Sequence, residues 1–188
     1  MLQGIHRYTP RQFRRAIEAE VFGEDRVELL GGVAFVVSEN PPHIVATSCL
    51  LDQLRAVAPP PRWFANKEHS LAVGRWRPVA DGVVLRGPRS NYSTRLARAA
   101  DVVLLAEVSD TTYARDVGPK LRKYATHRIP AYWIVDLNRR IVEVHTQPYG
   151  KGKLAGYALC RIYREGESIP VELDGEAAGQ VAVVELLP

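Results

Sequence analysis

The sequence predicts an α/β fold in which helices flank a central mixed β-sheet, and two apolar runs with a helix between them carry that prediction. Val102-Val103-Leu104-Leu105-Ala106 is uninterrupted by polar residues, the pattern of a strand buried on both faces. Ala131 to Val135 is a second buried strand. Between them, Asp116 to Thr126 places Val117, Leu121 and Tyr124 about one turn apart in succession, as a helix would. Helices packed outside a sheet are the economical way to cover such strands.

The other elements follow in order. Thr9-Pro10 ahead of Phe13, Ile17 and Val21 reads as the capped start of a first helix, with proline at its first position. Val27 to Leu30, Gly31-Gly32 and Val33 to Val37 predict a hairpin. Asn40-Pro41-Pro42 breaks the chain, and Ile44, Leu50, Leu51, Leu54 and Val57 then recur at helical spacing until Pro59-Pro60-Pro61. Short strands are expected near Trp63 to Asn66 and near Ser70 to Val73. Val83-Val84-Leu85 is a strand led by Asp81 and closed by Gly87-Pro88, and a polar loop from Arg89 to Ala99 leads to the first buried strand, which Glu107 ends. Ile129-Pro130 stops the helix, Arg139-Arg140 turns the chain, and Ile141 to His145 alternates. The tail from Tyr157 also alternates and is expected to be peripheral β structure. One domain over residues 1–188 is expected, with a core at about 8–148 and a tail at 149–188.

Composition narrows the function. With 46% hydrophobic residues, the 188-residue chain can bury a sizeable core. No apolar stretch approaches the length of a membrane span, and Met1 to Arg7 lacks the apolar run of a secretion leader, so a cytoplasmic protein with no membrane partner is expected. Cys49 and Cys160 form no CxxC pair and are expected to be buried as small apolar residues. The balance of 25 basic and 21 acidic residues, net +4, permits a nucleic-acid partner without requiring one. Arginines and lysines gather at 86–98 and 115–128, on either side of the acidic residues considered next. The segment Tyr92 to Arg98 has the composition of a phosphate-contacting loop, or simply of a basic surface loop. No P-loop, GxGxxG, GxSxG or HExxH pattern is present, and no organic cofactor is expected.

Asp81 and Glu107 each stand at the end of a β-like run. Burying an ionised carboxylate there is costly unless it is paired or holds a cation. Such hard oxygen donors suit Mg²⁺ or Mn²⁺. Lys120, on the helix after the Glu107 strand, could stabilise charge on a phosphate or orient an attacking water. Spacing alone leaves two simpler readings open: Asp81 as a turn residue before Gly82, and Glu107 paired with Lys120 in a structural salt bridge. Asp116 either orients Lys120 one turn on or answers the helix dipole. His127 and His145 have no partner at metal-ligand spacing and are expected at the surface.

Three stretches together resemble one family: Ala80-Asp81-Gly82-Val83-Val84-Leu85-Arg86-Gly87-Pro88; Val102 to Glu107-Val108-Ser109-Asp110-Thr111-Thr112; and Arg115-Asp116-Val117-Gly118-Pro119-Lys120, continued by Tyr124-Ala125 and Ile129 to Asp136. They resemble the Uma-type restriction endonucleases, a bacterial branch of the PD-(D/E)XK nuclease superfamily. The resemblance runs from Tyr8 to about Pro148 and is most specific over Glu107 to Asp136. It implies a restriction-endonuclease-like core, a divalent metal (Mg²⁺ or Mn²⁺) and metal-dependent hydrolysis of DNA phosphodiesters. It places Asp81 and Glu107 as metal-binding acids and Lys120 as the catalytic lysine. Glu28 matches an acid of the family's opening hairpin, and His43 matches a histidine where a substrate or water contact is possible. A surface strand glutamate and a solvent-facing histidine at a helix start are the plainer readings of those two. The chain departs from the pattern at Ala80, where a proline precedes the motif aspartate, and at Ser109, where the superfamily's usual lysine would sit. A homodimer would suit cleavage of both strands. The rival expectation is a nuclease-fold module that binds nucleic acid or protein without catalysis.

Overall fold

Strand burial organises the molecule. In the computed structural model, which describes residues 5–37 and 40–188, the strand Val102–Ser109 is buried at every position and lies at the middle of a seven-stranded sheet. The first four residues, part of the stretch read for a leader, lie outside the described residues.

In chain order the elements are α1 (Pro10–Glu18), β1 (Val27–Leu30), β2 (Val33–Val36), α2 (Pro41–Val57), β3 (Trp63–Ala72), β4 (Val79–Arg86), β5 (Ala97–Arg98) and β6 (Val102–Ser109). Helix α3 follows in three joined pieces, Tyr113–Arg115, a π-helical turn Asp116–Lys120, and Leu121–Thr126. Then come β7 (Ala131–Asp136), β8 (Ile141–Tyr149), β9 (Gly156–Arg164), β10 (Ser168–Leu173) and β11 (Glu176–Ala182). The large sheet runs β5-β3-β4-β6-β7-β8-β9. Its β6–β7 and β3–β5 pairs are parallel and the others antiparallel, so the sheet is mixed and flanked by helices, as predicted. The pairs β1–β2 and β10–β11 form separate hairpins.

Alternation along the strands sorts side chains onto two faces. On one, Ala46, Leu50, Leu51 and Leu54 of α2 pack with Val84, Leu104, Ala106 and Val108, and residues of the β10–β11 hairpin extend this layer. On the other, Tyr124 of α3 packs with Val83, Leu85, Leu105, Tyr132 and Ile134. Gly82 sets how closely α2 approaches β4: a Cβ there would lie 2.6 Å from Leu50 Cδ2 and 3.0 Å from Leu50 Cγ.

Several sequence-based expectations change. The two short strands expected after the proline run are one strand, β3. Asn40 caps α2 rather than ending structure: its side chain accepts from the His43 amide, and Pro41 and Pro42 occupy the first turn, where a missing N–H costs nothing. Ile17 and Val21 are exposed, while Phe13 and Ala16 make the inner face of α1. Cys160 is exposed and Cys49 half-buried, so neither is the buried apolar residue expected. His145, expected at the surface, is buried. Among the described residues, no helix is long and apolar enough to cross a membrane.

Because Gly82 has an ordinary strand backbone, its replacement tests packing alone. Gly82→Ala is expected to destabilise the fold by about 1–3 kcal/mol through overpacking against Leu50, read as a lower midpoint in urea unfolding. An unchanged midpoint would show that α2 can lift at no cost.

Candidate active site

The site begins where a ladder stops. The β4–β6 pairing ends at Gly82 opposite Ala106, and continuing that register sets Asp81 across from Glu107. Beyond the last pair, the Val108 amide donates to Asp81 Oδ2 at 2.8 Å instead of to backbone. His43 Nε2, at the start of α2, lies 3.3 Å from the same oxygen. Both contacts fall on Oδ2, leaving Oδ1 for another partner.

Glu107 faces α3. Its Oε1 accepts from the Tyr124 hydroxyl at 2.7 Å, and its Oε2 lies 3.1 Å from Lys120 Nζ. Lys120 Nζ is also 3.5 Å from Glu28 Oε2 and 3.6 Å from Asp116 Oδ1. Asp116, Lys120 and Tyr124 are spaced by four residues and share one side of α3. Pro119 lies inside the π-helical turn between the first two, where its missing amide removes a helical donor. Asp116 Oδ2 accepts from Ser109 Oγ at 2.6 Å and Thr112 Oγ1 at 2.5 Å, while its Oδ1 is buried without a hydrogen bond. Glu28 arrives from β1, which joins the sheet through a bridge between Leu29 and Arg77. Its Oε2 takes the Val79 amide at 3.3 Å, and Arg115 approaches its Oε1 at 3.9 Å.

Four carboxylates, Glu28, Asp81, Glu107 and Asp116, are thus buried around one buried ammonium. The imbalance shows in their acidities. Burial pushes the Glu107 carboxyl well above its ordinary range; Lys120 opposes this, and the charges of Asp81, Asp116 and Glu28 reinforce it. Burial also works against the Lys120 ammonium, but Glu107, Glu28, Asp116 and Asp81 outweigh it and raise that group, so it stays charged. Burial and then Glu107 push the Tyr124 hydroxyl up, keeping it a donor. At His43, burial favours the neutral ring, but the hydrogen bond to Asp81 and its charge prevail and raise the imidazole.

A small divalent cation fits this donor set. The ligands on offer are hard carboxylate oxygens, and Asp116 Oδ1 is buried with no hydrogen bond closer than the Lys120 ammonium at 3.6 Å. Mg²⁺ commonly uses one or two protein carboxylates and keeps its waters.

All six residues singled out in the sequence meet here. Glu28, Glu107 and Asp116 converge on Lys120, and Asp81 pairs with His43 beside them. The plainer readings of Glu28 as a surface residue and of His43 as a solvent-facing one do not hold, since Glu28 is 2% exposed and His43 is bonded to Asp81. Tyr124 was missed as a polar member; its position one turn after Lys120 is the signal. In the arginine loop Arg95 pairs with Asp101 and the Tyr92 hydroxyl donates to the Arg86 carbonyl, while Arg89, Arg95 and Arg98 stay exposed. A concavity of about 760 Å³ lies on the opposite face of the sheet, lined by Trp133, Val144 and Tyr163 among others, and takes no part in this cluster.

A consequence for stability follows. Because the folded-state value of Glu107 is raised above the ordinary 4.5, its contribution is fully favourable only below that pH and is lost as pH rises through the raised value. In EDTA at pH 7, Glu107→Gln is expected to raise Tm by about 2–6 °C, since Lys120 retains Glu28 and Asp116. The two melting curves should converge below pH 4.5. A lower Tm for the glutamine chain at pH 7 would show that the Lys120 pairing outweighs the carboxylate's burial.

Comparison with known proteins agrees with this architecture. A crystal structure described as a putative nuclease belonging to DUF820, from Anabaena variabilis, superposes with a TM-score of 0.69. The match covers 95% of this chain and 97% of that one at 14% sequence identity, and so speaks to the fold. No curated protein matches the chain. The family model described as "Uma2: Putative restriction endonuclease" matches residues 11–181, nearly the whole length, and the chain belongs to that family.

Proposed function

We propose that the protein is a metal-dependent DNA endonuclease that hydrolyses phosphodiester bonds at the Asp81–Glu107–Lys120 cluster. The observation that carries this reading is a buried lysine held among four buried carboxylates where β4 and β6 part. Family membership supplies the reaction class. Asp81 and Glu107 would hold Mg²⁺ or Mn²⁺, which when bound supplies charge neutralisation at the scissile phosphate and a more acidic water.

The chain's own groups do the positioning. The Val108 amide and His43 fix the Asp81 carboxylate through one oxygen and leave the other for the cation. Tyr124 donates to Glu107 Oε1, and Lys120 lies against Oε2. Lys120 remains protonated under the pull of its carboxylates, so it offers positive charge to a phosphate oxygen and a donor to the attacking water. Asp116, held by Ser109 and Thr112, and Glu28 anchor Lys120. Two copies related by a two-fold axis would cut both strands of a duplex, and the cytoplasm is the expected compartment.

One observation favours a second reading: both Glu107 oxygens are already engaged, by Tyr124 and by Lys120, as in a structural ion pair. A nuclease-fold module that binds nucleic acid or protein without cleaving would have such a site. Cleavage of plasmid and single-stranded DNA in Mg²⁺, Mn²⁺ or EDTA separates the two. We expect metal-dependent cleavage that falls to background in Asp81→Ala and Glu107→Ala and by about 10²–10³-fold in Lys120→Ala. Well-folded wild-type protein that binds DNA but cuts it in no metal would establish the binding module instead.

A further inference from the structure

A second cluster lies two strands away from Glu107 on the same face, and it is chemically unlike the first. Register places Glu107 opposite Ile134 and Ile134 opposite Glu143, with His145 opposite both Tyr132 and Cys160. Glu143, His145 and Cys160 each offer one donor atom, and the three atoms all lie within 4.8 Å of one another. We propose that these three side chains form a binding site for Zn²⁺, separate from the carboxylate cluster and independent of the nuclease reading.

The donor spacing supports this. His145 Nε2 is 3.1 Å from Glu143 Oε2 and 3.9 Å from Cys160 Sγ. A tetrahedral zinc ion with ordinary bond lengths requires edges of about 3.4 Å between oxygen and nitrogen and about 3.6 Å between nitrogen and sulfur. The two edges that meet at His145 are therefore within a few tenths of an ångström of those values, and the third, between Glu143 and Cys160, is no longer than 4.8 Å.

The surroundings hold two of the three ligands in place. Glu143 Oε1 accepts from the Tyr113 hydroxyl at 2.7 Å and from Arg139 Nη2 at 2.5 Å, which turns Oε2 toward His145. The imidazole is stacked on Tyr132, with ring centroids 6.0 Å apart, and Tyr157 packs at the same distance. Such outer contacts are what orient metal ligands. Glu143 and His145 are buried, 5% and 6% exposed, while Cys160 on β9 is exposed and gives an ion its way in from solvent.

Donor chemistry selects the ion. One thiolate, one imidazole and one carboxylate suit a borderline-soft dication and are a poor set for Mg²⁺, which demands oxygen. An ion held by two residues of β8 and one of β9 would also pin the edge strand to its neighbour.

The test uses the full chain, stripped with EDTA and kept reduced without thiols. Calorimetric titration with Zn²⁺ in excess Mg²⁺, which competes for the carboxylate cluster, is expected to give one ion per chain with Kd at about 1 µM or tighter. Zinc at a hundredfold excess over Kd should raise Tm by about 5–10 °C. Substituting Co²⁺ should produce a thiolate-to-metal charge-transfer band in the near ultraviolet. That band should vanish in Cys160→Ser, and zinc affinity should drop at least about tenfold in both Cys160→Ser and His145→Ala. Glu107→Gln should bind zinc as the parent does. Absence of one-to-one binding, a cobalt complex without the band, or affinity lost in Glu107→Gln but kept in the Cys160 and His145 variants would each overturn the proposal. None of these readouts depends on DNA cleavage.

Discussion

Lys120 is an ammonium only 3% exposed to solvent, and its need for partners ties together elements distant in sequence. Removing such a charge from water costs several kcal/mol even after relaxation, so the fold must return that energy through close, opposite charge. The partners come from three elements: Glu28 on β1, Glu107 on β6 and Asp116 on α3 itself. A hairpin that would otherwise be peripheral is thereby drawn against the main sheet, with Leu29 bridging to Arg77. Arg115 stands beside Glu28 and His43 on Asp81, and Glu107 is the acid whose carboxyl is raised, by burial first and by its acidic neighbours as well.

The backbone makes the cluster possible by ending regular pairing at the right place. Up to Gly82 and Ala106, β4 and β6 satisfy one another; past them, the amide of Val108 turns to a side chain, Asp81. A glycine at that step lets α2 approach until His43 meets the same carboxylate. On the other side, α3 carries Asp116, Lys120 and Tyr124 across a π-helical turn containing Pro119. Positions four apart align on one side of a helix, so an acid, a base and a hydroxyl reach the end of β6 together.

Much of this was legible in the sequence because it rests on local pattern. The apolar runs of β6 and β7 announce strands buried on both faces, and the helical spacing between them announces α3. Asp81, Glu107 and Lys120 stand out as charges set against such runs. What pattern could not reveal is which side chains meet across the fold. Glu28 sits in a short hairpin strand whose alternation is equally that of a surface ribbon, and only the bridge of β1 to Arg77 makes it internal. Tyr124 counts as apolar in a periodicity argument, yet its hydroxyl is what orients Glu107. His145 has no nearby ligand in sequence except Glu143; Cys160 becomes its neighbour through the β8–β9 register.

That register also explains why the two clusters need not compete. Both occupy the face beneath α3, and Tyr132 lies between them, donating from its hydroxyl to the Asp116 carbonyl while stacking on His145. Proximity alone would let one ion wander between sites, but the donors differ in kind. On the proposed readings the first cluster would present oxygen from Asp81 and Glu107 to a hard cation, and the second would present sulfur, nitrogen and a single carboxylate. The sulfur and nitrogen donors make the second set a poor one for Mg²⁺, and the buried Tyr132 keeps the two places apart. The sheet needs no second domain to achieve this, only the alternation of side chains along neighbouring strands.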